Sequence, residues 1–271
     1  MHPTNGPQTF TDARGRTLTW TTPPQRIVSL VPSQTELLAD LGLDTEVVGL
    51  TRFCIHPDGW KQTKTIIGGT KNVTIDRVRA LQPDLVLANL EENTREDVEA
   101  IEAFAPVYVT DVPDVAASCA MIRMVGHLTG RVHAGEAVAA ATEAAFVALE
   151  TVPAKRAAYF IWRNPYMTAG YDTIIHDVMQ RGGFHNVFGD RARYPAVTAE
   201  EIVAAKPDVV LLSSEPYPFA EKHLAEFRAI LPNATIQLVD GELFSWYGSR
   251  LQHAPAYLRQ LHAEVTASSV R

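Results

Sequence analysis

Side chains able to hold a flat or polar small molecule gather in four short segments of the sequence. In chain order, these segments are 51–57, 162–167, 213–218 and 242–250. Each follows a short apolar run that predicts a buried strand. In open α/β sheets, ligands bind at the loops that follow the carboxyl ends of strands. We therefore interpret the four segments as candidate binding loops.

The first segment combines a cation, a thiol and an imidazole. Alternation along an extended chain would place Arg52, Cys54 and His56 on one side, with Phe53 between them. A thiolate and an imidazole suit soft or borderline metals, and a neutral imidazole could reach the open axial position of a chelated metal. The alternative is that Cys54 is a small buried residue and His56 a turn residue before Pro57. Two ligands make an incomplete site, which disfavours a bare metal ion.

The other three segments favour a planar or carboxylate-bearing chelate. Flat aromatic rings can stack on such a ligand, and a guanidinium can form paired hydrogen bonds with it. Each segment also has a purely structural alternative. In 162–167, Trp162 would cover the core and Arg163 would face solvent, and in 213–218, Glu215 would be a favourable acid before a helix. Segment 242–250 would be a hydrophobic plug before the C-terminal helix. We expect Arg163→Ala and Trp246→Ala each to weaken ligand binding. The predicted contacts in these segments are Trp162, Arg163, Tyr166, Glu215, Trp246, Tyr247 and Arg250.

The elements that must position these loops follow an α/β pattern. Short apolar runs alternate with amphipathic stretches, which is typical of mainly parallel sheets covered by helices. The predicted strands are 27–31, 46–50, 84–88, 107–110, 157–162, 208–213 and 235–239. The predicted helices are 34–41, 74–81, 94–104, 173–180, 199–205 and 219–231.

An internal repeat indicates two similar lobes. Segment 76–87 aligns without a gap with segment 200–211, 124 residues further on. In each, a proline (Pro83 or Pro207) would end a helix, and the apolar run that follows Pro-Asp would be a parallel strand. This junction is common by itself, but other elements recur around it in the same order. The predicted fold is therefore two Rossmann-like α/β lobes with mainly parallel sheets.

The predicted domains are an N-terminal lobe (1–113), a linking helical segment (114–150) and a C-terminal lobe (151–271). Residues 131–150 are rich in alanine and predict one long helix, roughly 30 Å from end to end. A stiff helical linker restricts hinge motion, so we expect small closure movements on ligand binding. The alternative is a helix packed on one lobe's sheet, and both can hold.

Composition disfavours several classes of function. The net charge of −7 and the lack of a basic run argue against nucleic-acid binding. Cys54 and Cys119 form neither a disulfide framework nor a zinc pattern, so no resident metal is predicted. The sequence contains no nucleophile elbow, phosphate loop, dinucleotide fingerprint, zinc-protease helix or Cys-x-x-Cys motif. We expect a monomer that is not an enzyme and needs no cofactor.

Several ordered motifs resemble one family of binding proteins. Segments 10–16, 23–30, 32–38, 168–170 and 182–188 are similar to the periplasmic solute-binding proteins of iron-siderophore and vitamin B12 ABC importers, the helical-backbone metal receptors. The resemblance implies a metal chelate (a corrinoid such as cobalamin, or a ferric siderophore) held in a cleft between the lobes. It also implies delivery of that chelate to the membrane subunits of an importer.

The resemblance also assigns roles to individual positions. In that family, one acidic residue on each lobe docks with arginines of the importer, and the matching residues here are Asp76 and Glu200. The alternative is that both acids favour a helix N-terminus, aided near Glu200 by a capping box of Thr198 and Glu201. The B12-binding members line the cleft with aromatics, of which this chain keeps part, and Tyr194 thereby joins the predicted contacts. The matching positions are Phe53, Thr70, Asn89, Met167 and Tyr194.

Two further hypotheses remain open at this point. The first seven residues are polar and lack the layout of a secretory signal, which leaves the cytoplasm as an alternative to the periplasm or cell envelope. A cytoplasmic enzyme or chaperone for a corrinoid or other tetrapyrrole would fit that location. A receptor for free Zn²⁺ or Mn²⁺ would need converging ligands. Its candidates are His56, His176, His185 and Glu215.

Overall fold

The computed structural model describes residues 7–268. These residues form two compact units. The first unit comprises the described residues up to Asp111 together with Ala117–Ala140. The second comprises Val112–Ala116 and the chain from Ala141 to the last described residue.

The first unit is built on a parallel five-stranded sheet in the order β5-β4-β3-β8-β9. The central strands β3 and β8 are buried along their whole length, as expected for strands covered on both faces. The strands are β1 (Gln8–Thr11), β2 (Thr17–Trp20), β3 (Ile27–Ser29), β4 (Val47–Leu50), β5 (Thr65–Ile66), β6 (Gly68–Gly69), β7 (Asn72–Val73), β8 (Leu85–Asn89) and β9 (Val107–Thr110). The helices are α1 (Pro32–Asp40), α2 (Trp60–Thr63), α3 (Ile75–Ala80) and α4 (Arg95–Glu102).

Two antiparallel hairpins, β1–β2 and β6–β7, complete the first unit. The N-terminal hairpin was not predicted. It is anchored to α4 through Glu102, whose Oε1 lies 2.8 Å from Arg14 Nη1 and 2.6 Å from Arg16 Nη1.

Two helices, α5 (Val115–Leu128) and α6 (Val132–Val147), occupy the predicted linking segment. Gly130, at φ +71°, ends the first of them in the left-handed conformation that glycine adopts without strain. The helices approach so closely that a Cβ on Gly135 would lie 3.0 Å from Gly126 Cα. The sequence predicted one helix over 131–150. The structure confirms a helix there, starting one residue later and ending three residues earlier, and adds a second helix before it.

The second unit carries a six-stranded sheet around the long strand β10. The amino-terminal part of β10 pairs in parallel with β12 and β14, β14 pairs in parallel with β15, and the carboxyl-terminal part of β10 forms an antiparallel hairpin with β11. The strands are β10 (Lys155–Arg163), β11 (Tyr166–Thr168), β12 (Phe184–Asn186), β13 (Ala196–Val197), β14 (Val209–Ser213) and β15 (Thr235–Val239). The helices are α7 (Ile174–Arg181), α8 (Ala199–Ala205), α9 (Glu221–Ile230), α10 (Glu242–Ser245), a 3-10 helix (Ser249–His253) and α11 (Ala254–Ser268).

The predicted α/β class with mainly parallel sheets is confirmed. Each predicted strand and helix is present, with bounds that differ from the prediction by a few residues. Among residues 7–268, no helix is both long enough and apolar enough to cross a membrane.

Candidate functional site

The carboxyl-terminal edge of the first unit's sheet exposes an apolar surface. It consists of the loops after β4 and β8 and the turn between β6 and β7. Phe53, Ile55 and Leu90 are 52%, 45% and 42% exposed there, which is unusual for large apolar side chains in one sheet edge. Of these three, the sequence prediction had singled out only Phe53.

Hydrogen bonds tie the three segments of this edge together. Arg52 Nη2 donates to Asn72 Oδ1 over 3.0 Å, and the same guanidinium lies 5.5 Å from the Phe53 ring centroid. The Asn93 side chain donates to the Thr70 carbonyl over 3.0 Å. The predicted residues Arg52 and Phe53 thus lie together on an edge whose loops are fixed.

Cys54 does not lie on that surface. Its sulfur is fully buried and contacts the hydroxyls of Thr35 and Thr51, at 3.0 and 3.2 Å. Burial raises the pKa of the thiol, although the two hydroxyls and a backbone hydrogen bond oppose the rise. This environment fits the alternative of a buried core residue, because a protonated thiol enclosed by protein is a poor ligand. His56 is half-buried in the same loop and precedes Pro57 through a cis peptide bond.

An aromatic pair marks the equivalent edge of the second unit. Trp162, near the end of β10, is 40% exposed and meets the Tyr217 ring edge to face, with centroids 5.6 Å apart. Tyr217 N–H donates to the Ile161 carbonyl, which joins the loop after β14 to the end of β10. An exposed tryptophan held in one orientation by a second ring is a suitable stacking surface for a flat ligand.

A buried histidine fixes Tyr217. His223 Nδ1 accepts the backbone N–H of Ala220 over 2.9 Å, so in the neutral ring Nε2 carries the proton. That nitrogen lies 3.1 Å from the Tyr217 hydroxyl and can donate to it. Tyr217 lies within the predicted segment 213–218 but was not among the predicted contacts, and His223 was not predicted. Both lie far in sequence from Trp162, so the sequence did not show that they support its ring.

Arg163 and Tyr166 meet at one carboxylate on α9. Arg163 Nε donates to Glu226 Oε2 over 2.8 Å, and the Tyr166 hydroxyl donates to Glu226 Oε1. Burial alone would raise the pKa of Glu226, but these two hydrogen bonds lower it overall, so the carboxylate is ionised at neutral pH. The two predicted contacts are therefore brought together by a residue that the prediction missed.

Glu215 links the loop after β14 to the loop after β15. Its Oε1 accepts from Ser245 Oγ over 2.8 Å and from the Trp246 indole N–H over 2.7 Å. Burial raises the pKa of this carboxyl group, and the two hydrogen bonds only partly offset the rise. The two loops approach so closely at Gly241 that a Cβ there would lie 2.3 Å from Ser213 Oγ.

Trp246 is itself mostly covered, with 6% of its surface exposed. The Arg250 guanidinium lies 5.3 Å from its ring centroid and forms an ion pair of 3.0 Å with Glu242. Tyr247 is buried beside it, and Tyr194 is half-buried in the loop after β12. Of the predicted aromatic contacts in this unit, Trp162 offers the most exposed surface. Tyr171, which is 57% exposed, was not predicted.

The two predicted docking acids lie on first helical turns. Asp76 is exposed in α3, and Glu200 is exposed in α8. Glu200 accepts a hydrogen bond from its own backbone N–H and one from the Thr198 hydroxyl, and these lower its pKa. The predicted capping box is confirmed, with Thr198 and Glu201 each accepting the other's backbone N–H. Glu201 forms the capping box, and the Glu200 carboxylate, which also accepts its own backbone N–H, is exposed on the surface.

A site for a bare metal ion is not found among residues 7–268. They contain no group of three or more His, Cys, Asp or Glu side chains arranged to hold an ion. His176 instead lies with Nδ1 3.2 Å from Asn186 Nδ2, and burial lowers its pKa. His185 is exposed on β12. The hypothesis of a free Zn²⁺ or Mn²⁺ receptor thus lacks its required cluster in this part of the chain.

These features define a class of protein. Parallel sheets whose strand-end loops present exposed aromatic rings beside fixed hydrogen-bonding groups are typical of small-molecule-binding α/β proteins. Residues 27–229 match the family described as periplasmic binding protein, and the chain belongs to that family.

Comparison with individual proteins agrees with this assignment. The chain is 32% identical to a cobalamin-binding protein of Halobacterium salinarum over 218 residues, which cover 76% of this chain and 58% of that protein. The match therefore spans less than two thirds of the relative's length.

Solved structures share the fold at lower sequence identity. The periplasmic vitamin B12-binding protein of Vibrio cholerae has a TM-score of 0.78 at 18% identity, with 90% of this chain and 99% of that chain covered. The periplasmic heme-binding protein of Roseiflexus has a TM-score of 0.75 at 24% identity, with the same coverage. The fold alone thus does not distinguish one chelate from another.

Proposed function

We propose that the protein is the substrate-binding component of an ABC importer, and that its ligand is a metal chelate, either a corrinoid such as cobalamin or a ferric siderophore. The observation that carries the proposal is the edge of the second unit, where exposed Trp162 is held by Tyr217 beside Arg163 and Tyr166. Flat rings with nearby hydrogen-bonding groups suit a large, rigid ligand. The name of the Halobacterium relative supports cobalamin within this class.

The first unit supports the same proposal independently. Its strand-end edge exposes Phe53, Ile55 and Leu90 on loops that hydrogen bonds hold in place. Binding is favoured when a ligand removes these apolar side chains from water. Because the surface is preorganised, binding carries no large cost of ordering it.

Titration of the purified protein tests this function. The protein is titrated with cyanocobalamin, with a panel of ferric siderophores and with haemin, and quenching of tryptophan fluorescence is followed. We expect cyanocobalamin or at least one ferric siderophore to bind with a Kd in the micromolar range or below, because the rings are already positioned. If none of these binds, the proposal is wrong, and binding of haemin alone would place the ligand outside the proposed class.

We also propose that the protein docks on the importer's membrane subunits through Asp76 and Glu200. Both carboxylates are exposed, and charged rim groups of this kind orient a complex and speed its formation. Asp76→Asn and Glu200→Gln should each reduce uptake of labelled chelate in cells that carry the permease and ATPase, while chelate binding by the purified variants stays unchanged.

Glu221→Gln is the matched control for that experiment. Glu221 is also an exposed first-turn acid, on α9, and its removal changes the net charge equally. Uptake at the wild-type rate in both Asp76→Asn and Glu200→Gln would contradict the docking role.

The remaining parts of the proposal concern chemistry and location. We propose that the protein binds its ligand without transforming it, and that it works in the periplasm or at the cell envelope as other members of its family do. Ligand recovered after incubation should be chemically unchanged by mass spectrometry. A modified chelate would instead favour the enzyme hypothesis.

A further inference from the structure

The arginines on the second unit's strand-end loops are all engaged by carboxylates in the part of the chain that the structure describes. They lie at the end of β10, after β12 and after β15. The pairs are Arg163–Glu226 at 2.8 Å, Arg191–Glu201 at 2.7 Å, Arg193–Asp172 at 3.4 Å and Arg250–Glu242 at 3.0 Å. Each of these four arginines thus has a carboxylate partner within the protein.

Two of these carboxylates are held by a further hydrogen bond. Glu226 also accepts from Tyr166, and Glu201 also accepts from the Thr198 backbone. A ligand carboxylate that approached Arg163 would meet Glu226 at the same guanidinium. Like charges placed close together are unfavourable, and displacing the protein carboxylate would break its other hydrogen bond.

A fifth carboxyl group on this edge has no arginine partner among its hydrogen bonds. Glu215 instead accepts from Ser245 and Trp246, which are uncharged donors. These strand-end loops therefore offer a ligand aromatic faces and neutral groups. Their net charge is zero or negative, because each arginine has a carboxylate partner and Glu215 adds a further carboxyl group.

The exposed side chains of the first unit's edge point to the same ligand chemistry. Phe53, Ile55 and Leu90 carry no charge, and the guanidinium of Arg52 is held by Asn72 and the Phe53 ring. Lys71, in the turn between β6 and β7, donates to the Glu91 carbonyl. Arg52 and Lys71 thus both have partners within the protein, beside the three exposed apolar side chains.

We infer that the ligand, within the chelate class proposed above, is one with an uncharged periphery, such as a chelate ringed by amides, and that carboxylate-bearing chelates are disfavoured. This inference rests on the proposed function and narrows it. The exposed apolar surface supplies affinity for the ligand. The protein carboxylates that already pair with arginines repel carboxylates on the ligand's periphery.

Two matched ligand pairs test the inference. Cyanocobalamin and its monocarboxylic acid differ by one side-chain amide, and zinc protoporphyrin dimethyl ester and zinc protoporphyrin differ by two charges. We expect the uncharged member of a pair to bind at least tenfold more tightly in calorimetric titration. Equal or tighter binding of the carboxylate form would overturn the inference while leaving the proposed chelate binding intact. If no member of either pair and no ferric siderophore binds, both the proposed function and this inference are wrong.

Variants that remove the carboxylate partner of one arginine test whether these ion pairs cause the preference for uncharged ligands. Glu226→Gln and Glu242→Gln leave Arg163 and Arg250 without their carboxylates, and each should tighten binding of the carboxylate ligand by roughly three- to tenfold, with affinity for the uncharged ligand little changed. Glu221→Gln, an exposed acid on the same helix as Glu226, removes the same charge at a distance from these pairs and should leave the ratio unaltered. An identical ratio in all three variants would overturn the assignment to these ion pairs.

Discussion

Trp162 is the residue whose loss should weaken ligand binding most cleanly. It is 40% exposed, so its indole contributes little to the core, yet Tyr217 holds it in one orientation. We expect Trp162→Ala to weaken chelate binding by roughly 10- to 100-fold, the usual effect of removing an aromatic anchor. The free energy of unfolding should change by less than about 1 kcal/mol.

Trp162→Phe serves as the matched control. The smaller ring keeps a stacking face and should retain most of the affinity measured by fluorescence or calorimetric titration. Wild-type affinity in the alanine variant would show that the ligand does not contact this ring.

Glu215 should make stability depend on pH. Because burial raises its pKa, the folded protein keeps a proton that the unfolded chain has lost, over the window between the unfolded and folded pKa values. The stabilisation is present below the unfolded pKa and is lost as the pH rises through the folded pKa. The wild type should therefore lose stability relative to Glu215→Gln as the pH rises from 4 to 8.

Urea unfolding of both proteins at the two pH values measures this difference. Glutamine can still accept hydrogen bonds from Ser245 and Trp246 through its amide oxygen, which makes it a suitable reference. A difference between the two proteins that stays constant with pH would contradict an elevated pKa.

At the scale of single residues, the sequence predicted which residue types follow the strands, but not which of their side chains are buried. Arg163, Tyr166, Glu215 and Trp246 were chosen because they follow predicted strands. The structure places Glu215 and Trp246 on the loops after β14 and β15, whereas Arg163 and Tyr166 are paired in the β10–β11 hairpin. Their partners could not be predicted, because Glu226 lies 63 residues from Arg163. Cys54 illustrates the converse: alternation placed it beside Arg52, but a local turn directs its sulfur into the core.

At the scale of elements, the two copies of the internal repeat differ in how their helices begin. Thr198 accepts the Glu201 N–H, and Glu201 reciprocates; the equivalent Thr74 forms no side-chain cap, and Arg77 occupies the position of Glu201. We expect Thr198→Ala to lower the free energy of unfolding by about 1 kcal/mol. Thr74→Ala, its counterpart, should change it by less than about 0.5 kcal/mol. Urea midpoints give the comparison, and equal losses would show that the box contributes nothing.

Elements with a strong hydrophobic pattern were predicted, and weakly patterned ones were not. Strands such as β8 and β14 are buried throughout, so they appear in the sequence as continuous apolar runs. The hairpin β1–β2 alternates exposed with half-buried residues, and β13 has only two residues, so neither carries such a run. Helix α5 lies in the predicted helical segment 114–150 but was not predicted as a separate helix, because Gly126 and Gly130 obscured its pattern, although Gly126 is where α6 packs against it.

At the scale of the whole molecule, the repeat predicted two sheet-based units, and the structure has two. Their limits were harder to predict, because only the division after Asp111 falls in a loop, whereas the other two fall inside α5 and α6. A helix pattern shows which face is apolar but not which unit covers it. The segment predicted as a linker therefore contributes core residues, and Ala117–Ala140 belongs to the first unit.

This division predicts how fragments of the chain behave. Fragment 1–113 retains the five-stranded sheet but lacks Ala117–Ala140, including the buried side chains Ile122, Val125 and Leu128. Each buried aliphatic side chain contributes roughly 2 kcal/mol, so losing three removes an amount comparable to the whole stability of a domain. We expect fragment 1–147 to unfold cooperatively in urea, followed by circular dichroism, whereas fragment 1–113 should lack a cooperative transition and bind a hydrophobic dye. Equal midpoints for the two fragments would show that α5 and α6 do not complete the first unit's core.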